Sequence, residues 1–159
     1  MTLELSMEAD SRMAGNIVQI LADLPKFLRK SMIRSRLLEF YSMADADKHV
    51  TISSSLEALS SLGSVKLQQL IKTWLEVLLE FQGSQITDMF RLYCEEILNH
   101  QPIVKNLDVE CLIDVFLSLQ EWEKERLTDC LKEVIFCFPN KTEILNVIPQ
   151  PLLKLLEIE

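Results

Sequence analysis

Apolar residues recur along this chain at intervals of three and four, the spacing that lays them along one side of a helix. Met13, Ile17, Ile20, Leu21 and Leu24 set out a first helix over residues 10–24. Pro25 stops it and suits the first turn of a second over 25–42, which would bury Phe27, Leu28, Met32, Ile33, Leu37, Phe40 and Tyr41. Asp45 is placed to cap a third helix reaching Leu62, with Gly63 as its C-terminal glycine. Ser64 caps a helix over 65–82 that Gly83 ends, and Ser84 caps one over 85–98. The stretch Asn99-His100-Gln101-Pro102 reads as the clearest break. Beyond it, Asp108 caps a helix to Leu119, another runs from Glu121 to Phe138, and Pro149 and Pro151 bracket a last short one over 152–158. Connections this short suit antiparallel helix neighbours.

The helices also resemble one another. A shift of 38 residues brings Met43, Phe81 and Leu119 into register, and likewise Phe40, Leu78 and Phe116. The same shift aligns Leu37 with Leu75 and Ile113, Leu59 with Ile97 and Ile135, and Glu57 with Glu95 and Glu133. A weaker echo at 36 residues sets Ser6-Met7 over Ser42-Met43. A fixed period in this range marks an array in which each helix pair buries its apolar face by stacking on its neighbours. The expectation is therefore an all-α chain, antiparallel helix pairs stacked as a short right-handed α-solenoid of about eight helices. It would form one helical domain over 1–159, with units at 26–63, 64–101 and 102–139 and partial capping units at 6–25 and 140–159. The alternative is an irregular globular helical bundle whose leucine-rich helices match without stacking. The pattern over residues 26–138 resembles HEAT and armadillo repeats. Asn16 to Pro25 is similar to the Ile-Leu…Leu-Pro units in helical N-terminal domains of bacterial magnesium transporters and flagellar switch proteins. These resemblances imply stacked helices and assign no binding residue.

Composition narrows the class. The chain is 159 residues long, 48% hydrophobic and 25% charged, with three glycines and five prolines. That is too apolar for a disordered chain and too poor in turn formers for a many-stranded β fold. No run of apolar residues reaches the length of a membrane span, since even Trp74 to Phe81 is broken by Glu76 and Glu80. The start lacks the basic region and apolar run of a secretory leader. Cysteines at 94, 111, 130 and 137 show no paired spacing, so buried, reduced thiols in a cytoplasmic protein are expected. A net charge of −8 disfavours nucleic acid.

Residues that could carry chemistry are sparse. His49 and His100 have no Cys or second His within a turn, and no Cys-x-x-Cys pair exists, so neither a metal nor a cofactor is expected. No Gly-x-Ser-x-Gly elbow or phosphate loop occurs, and adjacent Glu95 and Glu96 point about 100° apart on a helix rather than pairing as acid and base. A Cys94–His100 pairing would lack an orienting group. An enzyme is not expected. Two charged faces instead suggest binding. Glu57, Glu95 and Glu133 recur once per unit and, with Arg91 and the helix-start residue Trp122, would form a face for a protein partner. The expected function is a non-catalytic protein–protein interaction or scaffold module. The alternative is docking of the basic helix 26–36, bearing Lys26, Arg29, Lys30, Arg34 and Arg36, on an anionic membrane or acidic partner. Apolar terminal units would also permit a homo-oligomer unless Leu152, Leu153, Leu155 and Leu156 cap the array.

Overall fold

A computed structural model of the chain describes residues 15–157, and they form helices and turns without a strand. Ser6, Met7, Asp10, Met13 and Ile158, which entered the sequence expectations, lie outside the described residues. Ten helices follow in order: α1 (15–23), α2 (Lys26–Ser42), α3 (Asp45–Leu59), α4 (Ser64–Leu78), α5 (Gly83–Asn99), α6 (Gln101–Asn106), α7 (Val109–Leu117), α8 (Glu121–Cys137), α9 (Lys141–Val147) and α10 (Gln150–Leu155). The chain is all-α.

The 38-residue spacing is visible in the backbone. Helices α3, α5 and α8 begin at Asp45, Gly83 and Glu121, each 38 residues after the last. The turn that leads into each is the same. The amides of Met43, Phe81 and Leu119 donate to the carbonyls of Phe40, Leu78 and Phe116 at 3.1, 3.0 and 3.1 Å, a tightened last turn. One extended residue then enters the next helix: Ala44, Gln82 and Gln120 have φ of −66°, −70° and −69° and ψ of 153°, 153° and 157°. Two of these entries carry a full capping box. Gln82 with Gln85, and Gln120 with Glu123, exchange side-chain and backbone hydrogen bonds.

Three such helix pairs pack in two layers. In the first, α2 lies on α4, α4 on α7 and α7 against α10; in the second, α3 lies on α5 and α5 on α8, with α9 against both α5 and α8. Isoleucine and leucine side chains fill the space between layers. Ile52, Leu78, Ile86, Leu92, Leu127, Ile135 and Ile144 are fully buried, and one contiguous core runs from Val18 to Ile144. Ile135, Leu153 and Leu156 form a small second cluster at the C-terminal end.

Several boundaries differ from the sequence expectation. There are ten helices among the described residues rather than about eight. The Asn99 to Pro102 stretch is not a break: His100 alone separates α5 from α6. Pro102 is tolerated because it sits in the first turn of α6, where its missing amide would have no partner. The interruption falls at Leu107-Asp108, where the Asp108 side chain accepts from the Cys111 amide at 3.0 Å and caps α7. Gly63 and Gly83 are not C-terminal glycines, since no described glycine has positive φ; Gly63 precedes α4 and Gly83 opens α5. Neither Asp45, Ser64 nor Ser84 is an N-cap; those positions belong to Ala44, Gly63 and Gln82. The Ser64 hydroxyl instead donates to Asp108 at 2.9 Å, tying α4 to the start of α7. Phe27 and Leu28, expected in the core, are exposed.

Candidate functional site

The recurring glutamates come to lie on three consecutive helices of the second layer: Glu57 on α3, Glu95 on α5 and Glu133 on α8. Glu57 and Glu133 are exposed, and Glu95 is half-buried within a charged cluster. Arg91, one helical turn earlier, donates from Nη1 to Glu95 at 2.6 Å and from Nη2 and Nε to Asp88 at 2.5 and 3.2 Å. The hydrogen bond from Asp88 is the largest influence raising the Arg91 pKa, so the guanidinium is a fixed cation. His49 reaches across from α3. Its Nε2 lies 3.4 Å from Glu95 and its Nδ1 2.7 Å from Glu96, whose carboxylate is also 3.4 Å from His100. Glu96 is only 5% exposed, and a carboxylate buried to that degree needs such partners. The sequence gave Glu96 no role, although the i,i+4 spacing of Glu96 and His100 was a readable signal. The contact to His49 spans 47 residues and had no local signal. Trp122, on the exposed start of α8, is 54% exposed and donates to Gln120 at 2.7 Å.

The basic helix looks different in three dimensions. Arg29 is buried at 6% exposure. Its guanidinium donates to the carbonyls of Leu21 (3.1 Å), Leu24 (2.6 Å) and Gln69 (3.4 Å) and to the Thr73 hydroxyl (3.2 Å). It thus satisfies the C-terminal carbonyls of α1 and pins α2 to α4, where cationic charge is favoured by the helix dipole. Arg34 grips both oxygens of Glu80 at 2.9 Å, Arg36 pairs with Glu39 at 2.9 Å and Lys26 lies 3.7 Å from Glu76. Of the five cations only the half-buried Lys30 has no ion pair among the described residues. The outer side of α2 is nevertheless apolar in part, with Phe27 74% and Leu38 59% exposed.

The cysteines are all free. Cys94, Cys111 and Cys130 are buried, whereas Cys137 is exposed, contrary to expectation. Burial first, and the Glu95 carboxylate second, push the Cys94 thiol up to about 12, so it stays protonated at neutral pH and is a poor nucleophile. His100 is engaged by Glu96. Among the described residues no group of three or more His, Cys, Asp or Glu could hold a metal ion, and no helix is long and apolar enough to cross a membrane.

A second feature lies between the layers. One cavity of about 610 Å³ is bounded by apolar side chains from Ile17 on α1 to Leu156 beyond α10. Left dry and rigid, a void of this size would cost on the order of 10 kcal/mol at about 24 cal/mol per Å³, comparable with the whole stability of a domain. Set against protein-family models, curated proteins and solved structures, the chain matches none.

Proposed function

We propose that this chain is a non-catalytic protein-interaction module, a short α-solenoid that takes a basic partner segment on the α3–α5–α8 face. The observation that carries the reading is the placement of Glu57, Glu95 and Glu133 on three neighbouring helices of one layer. Adjacent packed helices lie about 8–10 Å apart, so successive carboxylates offer a spaced row rather than a single pocket. Asp88, Arg91 and His49 hold the middle carboxylate in place, which lowers the entropy lost when a partner binds. Exposed Trp122 supplies an aromatic anchor at the edge of α8. The same reading puts the protein in the cytoplasm, where free thiols stay reduced.

Fluorescence anisotropy with a labelled lysine-rich peptide tests it. Binding should weaken with salt and fall at least tenfold in Glu57→Lys/Glu133→Lys, while Lys30→Glu leaves it unchanged. Equal loss in both variants, or no binding by the parent, would reject the acidic face.

A second reading has its own support in exposed Phe27 and Leu38 beside Lys30 on α2, an arrangement suited to an anionic membrane surface. Co-sedimentation with phosphatidylserine vesicles that is lost in Phe27→Ser would favour it. No co-sedimentation of the parent protein would remove it.

A further inference from the structure

The cavity between the layers has a shape that selects its occupant. Its lining passes from α1 to the end of α10 and draws on both layers. With packed helices about 8–10 Å apart and four helices deep, that path extends roughly 30 Å. A volume of about 610 Å³ spread over that path leaves a mean cross-section of roughly 20 Å². An α-helix with side chains is about 10–12 Å across and needs several times that section, so a partner helix does not fit. A fused-ring molecule is too broad as well. A single unbranched hydrocarbon chain is slender enough, and the volume is within the usual range of small-molecule sites, about 300–1,000 Å³.

The lining chemistry agrees. Leu70, Ile71, Leu75, Met89 and Phe90 form its middle, with no polar set to hold water there. Exposed polar residues gather at the α2–α3 turn, where Arg36, Glu39 and Asp47 border the opening. The one cation of this trio is already held by Glu39 at 2.9 Å, leaving the rim with a net negative charge. A carboxylate head group would be repelled there, whereas a hydroxyl or ester could be hydrogen-bonded. We infer that the interlayer cavity binds one long, unbranched aliphatic chain with an uncharged head group, which lies at the α2–α3 rim.

Thermal unfolding and native mass spectrometry of the full chain test this with four named compounds. Hexadecanol and 1-monopalmitin should each bind at one per chain and raise Tm by about 5 °C or more near saturation. Palmitate should bind at least tenfold more weakly, and cholesterol should leave Tm unchanged. Binding of monopalmitin without hexadecanol assigns the site to glycerolipids, and binding of both assigns it to the chain alone. Val50→Phe, which fills a half-buried position of the lining, should unfold at or above the parent Tm and lose the ligand shift. Leu112→Phe, toward the other end, makes the same test if the first variant does not fold. The inference is overturned if neither neutral lipid binds, if cholesterol binds equally, if palmitate binds as tightly, or if the filled variants keep the full shift.

Discussion

Arg29 offers the sharpest test of how the first helices are joined. Replacing it with methionine keeps much of the side-chain length but removes hydrogen bonds to Leu21, Leu24, Gln69 and Thr73. A hydrogen bond from a charged donor is worth roughly 1.5–3 kcal/mol, and a buried carbonyl left unpaired costs about 1–3 kcal/mol. These figures do not add, because the four bonds share one donor group and Gln69 O is a long contact at 3.4 Å. The apolar stem of methionine also restores some packing. The expected net loss is about 3 kcal/mol. For a chain of this size that lowers Tm by roughly 6–12 °C. Urea unfolding followed by far-UV circular dichroism measures it, with Lys30→Met as the comparison, expected within about 0.5 kcal/mol of the parent. Arg29→Lys should fall between, because an ammonium cannot reproduce the planar fork. A loss below about 1 kcal/mol for Arg29→Met, or one equal to that of Lys30→Met, refutes the reasoning.

Other outcomes follow from the same geometry. Asp108→Ala removes both the α7 cap and the acceptor of Ser64, and should cost about 1–2 kcal/mol in the same unfolding assay. Arg34→Ala breaks a bidentate pair to Glu80, but both partners are 43% exposed, so the loss should stay below about 1 kcal/mol and shrink further in salt. Cys94 makes the protein sensitive to alkali. Its folded pKa of about 12 lies above the reference 9.0, so the unfolded chain gives up this proton first and stability is lost as pH rises from 9 toward 12. By pH 10.5 the loss from this group is on the order of 2 kcal/mol, and Cys94→Ala should flatten that part of a urea-midpoint profile. Iodoacetamide at pH 8 should label exposed Cys137 first and Cys94 last, read by peptide mass spectrometry.

The periodic leucines made the main helices legible because burial between two layers demands apolar residues at helical spacing. The 38-residue register was legible for the same reason, since three identical turns place Met43, Phe81 and Leu119 at equivalent points. Finer punctuation was harder to read. Gln82 and Gln120 cap α5 and α8 through boxes with Gln85 and Glu123, although serine and aspartate are the commoner signals. Pro102 signalled a break but is compatible with a helix start. Helix α9, seven residues long, is too short to show a period and is held by packing on α5 and α8. Charge roles were the least visible. Arg29 sits in a run of basic residues that reads as a solvated face, and only the carbonyls at the end of α1 and the approach of α4 reveal its burial. Of the acidic face, the recurrence of glutamate was readable. The bridge from His49 to Glu96 was not, because it depends on α3 lying against α5.

Backbone amide chemical shifts during titration with a lysine-rich peptide test the proposed binding face most directly. The perturbations should cluster around Glu57, Glu95, Glu133 and Trp122 on α3, α5 and α8, and leave α2 and α4 unmoved. Perturbations centred on α2, or none at concentrations that saturate the anisotropy signal, would contradict it.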